Sequence, residues 1–247
     1  MESSSSGSEK HKSEESEESL KPEVAITFPS PESEYEYLTT RVLSRLDYFK
    51  TEGSNIILPS EFFLTKLLDP QVSTNPHEEF LSYEFDPDFY LKGYDKLQFP
   101  GVATQIERMF PKLFDLQVAW GFKILPRYGV TLSKYGPGSV ILKDGTIVLR
   151  TDAEGNFSRP YPVESIAREI VCTGIGGPIK DRFGLQRKES DRIADYIIIS
   201  QFSDIFPNYR MAKPVDADIL TEYFSSKHIS ELPALIGKFI ENRENRI

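Results

Sequence analysis

The spacing of apolar residues divides the chain into a helical first half, a short β-rich middle and a second helical part. From Glu34, the residues Tyr37, Leu38, Val42, Leu46 and Phe49 recur at helical intervals, which predicts a first helix reaching about Lys50. Pro59, Pro70, Pro76, Pro87 and Pro100 then interrupt aromatic-rich pieces such as Phe62-Phe63-Leu64 and Phe80-Leu81-Ser82-Tyr83, so this stretch reads as short helices and loops on the domain surface. Helical spacing returns over Val102 to Phe122, with Ile106, Met109, Phe110, Leu113, Val118 and Trp120 apolar and Pro111 an expected kink.

The period then changes. Lys123 to Leu132 is strand-like, and Pro126 suggests a sheet edge or a bulge, because proline cannot donate to a central ladder. Val140-Ile141-Leu142 and Thr146-Ile147-Val148-Leu149 flank Asp144-Gly145, the dipeptide that supplies the positive φ angles of a tight hairpin. Tyr135-Gly136-Pro137-Gly138-Ser139 is a loop whose glycines permit close backbone approach. Without a following helix start it reads as a turn rather than an anion cradle. Asp152-Ala153-Glu154-Gly155-Asn156 is another turn, after which Pro162 opens a helix that Gly174, Gly176, Gly177 and Pro178 are expected to end. A long helix from about Arg187 to Phe202 carries Ile193, Ala194, Ile197 and Ile198 on one side, and Asp216 to Phe239 adds one or two short helices. No internal repeat is visible.

Composition adjusts this outline. Residues 1–22 are almost entirely Ser, Glu, Lys and Gly, too polar to offset the entropy of ordering them, and read as a disordered solubilising tail. Residues 23–247 read as a single α+β domain. The formal charge of −9 argues against nucleic acid or an anionic membrane as the main partner. Cys172 is the only cysteine, which excludes an intrachain disulfide and a Cys-rich zinc site. With neither an apolar leader after the first residues nor a stretch long enough to span a bilayer, the expected location is the cytoplasm.

The candidate chemistry lies in Ile166-Ala167-Arg168-Glu169-Ile170-Val171-Cys172-Thr173-Gly174-Ile175. It has the frame H-E-x-x-H with arginine and cysteine at the histidine positions. On a helix from Pro162, Val163, Ile166, Ala167, Ile170 and Val171 form the core stripe, while Arg168, Glu169 and Cys172 lie to the other side. By spacing alone those three residues are a solvated face. Cys172 as a thiol nucleophile lacks a histidine at hand, since the chain has only His11, His77 and His228, and it reads as a buried, inert cysteine. No G-x-S-x-G motif supports a serine hydrolase.

Downstream, Lys188-Glu189-Ser190-Asp191-Arg192-Ile193-Ala194-Asp195 places Asp191 nineteen residues after Cys172 and Asp195 four beyond that. Together with the order of helix, edge hairpin, motif helix, glycine turn and second helix, this resembles the zincin metallopeptidases of the glutamate-ligand branch over residues 102–202. Tyr135-Gly136-Pro137-Gly138 and Thr173-Gly174-Ile175 add likeness to uncharacterised bacterial proteins of that class. The resemblance implies a zincin-like fold, a small mixed sheet with an edge hairpin packed on the motif helices. It places Arg168 and Cys172 at the two histidines, Glu169 at the general base, Asp191 at the ligand glutamate and Asp195 at the carboxylate behind the ligands.

Arginine offers donors only and repels a cation, and cysteine with aspartate is too small a set for a tight site. The expectation is therefore a catalytically inactive relative without bound metal, acting in binding or scaffolding toward a protein or peptide. The alternative is a divergent zinc hydrolase in which Glu169 activates water on a metal held by Cys172, Asp191 and Glu189. A third reading, an interaction module unrelated to peptidases, expects Arg168, Cys172 and Asp191 far apart. If the first holds, Arg168 is the natural counter-charge for Asp191, Asp195 or Glu169, because carboxylates that lose a metal need another cation.

Overall fold

The computed structural model describes residues 22–51, 55–68, 75–98, 101–211 and 229–244. Residues 1–21 of the proposed tail therefore lie outside the described residues, as do residues 216–228 of the predicted C-terminal helices. What is described is mixed α and β, with one small four-stranded sheet and helices on both of its faces.

Strands β1 (Glu23–Ile26), β2 (Arg127–Ser133), β3 (Ser139–Ile141) and β4 (Thr146–Arg150) lie in the order β1-β2-β4-β3. β1 and β4 run parallel to β2, and β3 returns antiparallel to β4. The hairpin forms where Asp144-Gly145 predicts it. Gly145 has φ 89° and donates to the Leu142 carbonyl, while the Asp144 carboxylate accepts from the Thr146 N–H at 3.0 Å. β1 and β3 are the edge strands. β2 is central rather than at an edge, and Pro126 is tolerated because it precedes the strand and contributes only its carbonyl, which accepts from Glu23 at 3.1 Å.

Period-two alternation on β4 sends Ile147 and Leu149 into one apolar cluster and Val148 into the other. The Val148 side is covered by a helical run made of α1 (Pro31–Tyr37), a π turn over Leu38–Val42, a 3-10 turn over Leu43–Arg45 and α2 (Leu46–Thr51). This is the predicted first helix, with buried Tyr37, Leu38, Val42 and Phe49. Short helices follow as the prolines suggest, α3 (Glu61–Leu68), α4 (Pro76–Tyr83) and α5 (Pro87–Gln98), but they are not confined to the surface, since their aromatic and leucine side chains at Phe63, Phe80, Tyr90 and Leu97 are buried in the two apolar clusters. Residues 102–120 form two helices, α6 (Val102–Glu107) and α7 (Phe110–Trp120). Pro111 opens the second instead of kinking one long helix, because its missing N–H costs nothing in a first turn.

The opposite face carries α8 (Pro162–Gly174) and α9 (Arg187–Phe202), whose Ile166, Ile170, Ile193, Ile197 and Ile198 are fully buried. The glycines after α8 do not terminate helical structure outright. Gly176–Asp181 forms a π-helical turn that includes Pro178, and the chain straightens only before α9. At the end of α8, Gly174 is seated on the Phe122 ring so closely that any Cβ would overlap it, and its carbonyl accepts from Lys123 N–H at 3.0 Å. A 3-10 turn (Ile229–Glu231) and α10 (Leu232–Glu244) close the described chain. No helix among the described residues is long and apolar enough to cross a membrane.

Candidate functional site

Two helices and the edge strand β3 build the site. α8 starts at Pro162 after an extended Tyr161 and keeps Val163, Ile166, Ala167, Ile170 and Val171 against the core. That fixes the rotation of the helix, so Arg168, Glu169 and Cys172 face α9 and β3. α9 begins with a capping box in which Gln186 N–H donates to the Glu189 carboxylate at 2.8 Å. One turn further, Asp191 and Asp195 face α8.

The face is not solvated. The Arg168 and Glu169 side chains retain only 13% and 10% of their exposure. Arg168 lies between the two aspartates: Nε donates to Asp195 Oδ1 at 3.1 Å, and a terminal nitrogen lies 3.1 Å from Asp191 Oδ1. A second terminal nitrogen is 4.0 Å from Glu169 Oε1. Cys172 directs its thiol at Asp191 Oδ1 across 3.9 Å, a long contact even for sulfur.

Further residues complete the cluster. Ser139 on β3 donates to Glu169 Oε1 at 2.8 Å. The Tyr209 hydroxyl donates to Asp195 Oδ1 at 2.5 Å, and Arg159 reaches the same oxygen at 3.9 Å. Arg187 lies 3.9 Å from Asp191 Oδ2 and donates to the Tyr48 hydroxyl at 3.1 Å. Three carboxylates and three guanidinium groups thus make a charge-balanced cluster. Sequence spacing does not reveal Ser139, Arg159, Arg187 or Tyr209 as members, since they converge from a strand, two loops and a helix start. The only advance signal is that the carboxylates need cations.

The electrostatics follow from this packing. Burial raises the Glu169 carboxyl above the ordinary range, and Arg168 and the Ser139 hydrogen bond oppose that rise. Burial pushes the Cys172 thiol well above its usual value despite Arg168, which leaves it protonated and a poor nucleophile at neutral pH. Burial works against the charge of Arg168, but the negative groups around it outweigh that effect and hold it more firmly protonated than a free guanidinium.

The residues present do not fit a zinc ion. The space where ligands would converge holds the Arg168 guanidinium, in contact with both aspartates. Glu189, the reserve ligand of the hydrolase reading, is turned to the backbone of its own helix start. Among the described residues no three His, Cys, Asp or Glu side chains are grouped to hold a metal. Beside the cluster opens a cavity of about 260 Å³, bounded by the 3-10 turn and α2, by β3 and by the turn before α9. No family model, no curated protein and no solved structure matches the chain.

Proposed function

We propose that this protein is a zincin-like relative whose metal centre has been replaced by an internal ion-pair cluster, and that it acts by binding rather than by hydrolysis. One observation carries the reading: Arg168, at the first histidine of the H-E-x-x-H frame, bridges Asp191 and Asp195, the downstream carboxylates of that frame, at 3.1 Å each. A fixed cation there balances carboxylates that would otherwise be buried with uncompensated charge. Arg168 and Cys172 are neighbours on any helix, so it is the contact of both with Asp191 on α9 that favours this reading over an unrelated module. Glu169 keeps the position of a general base, but Ser139 and Arg168 occupy it.

The hydrolase alternative needs Arg168 to leave and Glu189 to abandon its capping bond. Metal analysis of protein purified without chelator, with a peptidase assay of wild type and Glu169→Gln, tests the proposal. The expected result is zinc far below one equivalent and no activity that separates the two proteins. One equivalent of zinc with activity lost in Glu169→Gln overturns it. As a converse, Arg168→His combined with Cys172→His creates a His-His-Asp set with Asp191 and is expected to take up zinc.

A further inference from the structure

We infer that the cavity beside Arg168 is a binding site for a small phosphomonoester dianion. The inference rests on the preceding reading in one respect, that Arg168 and its carboxylates form a closed, neutral unit rather than a metal site. Glu169, Asp191 and Asp195 are matched by Arg159, Arg168 and Arg187, so the cluster leaves no negative charge to attract a cation.

The cavity wall carries two more cations. Arg45, from the 3-10 turn, and Lys180, from the π turn after α8, both line it. No carboxylate among the described residues pairs with either. Among the described residues the surplus is therefore two positive charges, on separate elements that face one space. This occurs on a chain whose formal charge is −9, so the positive site is local and not a reflection of overall composition.

Two surplus cations suit a dianion better than a carboxylate, which would leave one of them unpaired. A phosphomonoester carries about −1.5 to −2 near neutrality and presents several acceptor oxygens, which ammonium and guanidinium donors can share. Arg187 already anchors to Tyr48 and Asp191, and this holds its remaining donors at the same wall. The volume of about 260 Å³ admits a phosphate with a small organic group but not a folded chain. Phe49, Pro137 and Val140 supply an apolar side to the cavity for that group.

Calorimetric titration of the full chain with phenyl phosphate, inorganic phosphate and acetate, each in the presence of EDTA, tests the site. Saturable binding of one phenyl phosphate is expected, weaker binding of inorganic phosphate, and the weakest of acetate. Arg45→Ala and Lys180→Ala are each expected to weaken binding about tenfold, the loss of one charge-assisted contact. Absence of saturable binding overturns the site, and so does binding unchanged in both variants. Acetate bound as tightly as phenyl phosphate overturns the dianion assignment. Phosphate binding that persists in EDTA, in protein whose metal analysis shows no zinc, does not come from a bound metal. In a parallel titration without EDTA, a protein that contains zinc and binds phosphate only in that arm sinks the ion-pair reading and this site together, whereas a zinc-free protein that binds no phosphate in either arm sinks this site alone. A circular dichroism spectrum of each variant guards against loss of fold.

Discussion

Glu34 and Asp195 are both almost completely buried carboxylates, at 2% and 1% exposure, and the chain accommodates them by opposite means. Glu34 Oε1 meets neutral donors only: the Tyr90 hydroxyl at 2.9 Å, the Ser133 hydroxyl at 3.0 Å and the Lys134 N–H at 2.9 Å. Asp195 meets charge, with Arg168 at 3.1 Å and Arg159 at 3.9 Å, beside the Tyr209 hydroxyl. Neutral donors replace only part of the lost hydration, so burial pushes the Glu34 carboxyl up to about 7 in spite of its three hydrogen bonds. Around Asp195 the compensating charge is a guanidinium that does not titrate near neutrality. One region can answer a burial cost by taking up a proton. The other depends on keeping its arginine.

The largest expected effect breaks the second arrangement. Arg168→Met removes the central cation and leaves Asp191, Asp195 and Glu169 facing one another, which is expected to cost about 3 to 5 kcal/mol, the range for breaking a buried ion pair from one side. Urea denaturation at pH 7 measures it. A loss under about 1 kcal/mol would mean that the arginine is not the compensating charge, because such losses are typical of surface pairs.

Glu34 gives the contrasting, proton-dependent effect. Its folded-state value of about 7 lies above the ordinary 4.5, so the native state holds the proton more tightly than the unfolded chain. The stabilising contribution is full below the ordinary value and is lost as pH rises toward and through about 7. Across that window the loss amounts to about 3 kcal/mol, at roughly 1.4 kcal/mol per pH unit. Glu34→Gln is expected to flatten this slope, since an amide oxygen can still accept from Tyr90 and Ser133 without a proton to lose. Thermal unfolding from pH 4.5 to 8 decides the matter. An unchanged slope in Glu34→Gln would place the titrating group elsewhere.

The contrast also explains what was legible in the sequence. The helix frame of the site follows from apolar spacing: Ile166 and Ile170 on α8, with Ile193 and Ile197 on α9, fix which sides of the two helices meet. Asp144-Gly145 likewise sets the hairpin, because its turn chemistry is local. β1 escapes such reading, since Val24-Ala25-Ile26 is too short to show alternation and becomes a strand only by parallel pairing with β2, over a hundred residues away. The Glu34 pocket escapes it for the same reason, as its donors come from residues 90, 133 and 134. Pro126 and Pro178 do not mark a sheet edge or a helix end here, because proline forbids a donor at one position and says nothing about the pairing of its neighbours. The polar members of the site, Ser139, Arg159 and Tyr209, depend on tertiary placement alone. Of these, the sequence carries only the demand for a cation near the aspartates.

Glu169 stands between the two regimes and gives the finest test. It has one neutral donor, Ser139 at 2.8 Å, and one cation at the longer distance of 4.0 Å. If the distant cation compensates most of the charge, Ser139→Ala is expected to cost about 1 kcal/mol, the net worth of one hydrogen bond. If the hydroxyl matters more, the loss approaches the penalty for an unsatisfied buried group, up to about 3 kcal/mol. Because the Ser139 bond opposes the rise of the Glu169 carboxyl, the same variant is expected to move that carboxyl further upward. Carbon NMR titration of the labelled glutamates reads that shift directly. A Glu169 resonance that titrates at the same pH with and without the hydroxyl would leave the nearby guanidinium groups, not Ser139, as what opposes burial there, whereas a shift upward shows that a neutral donor does so as it does at Glu34.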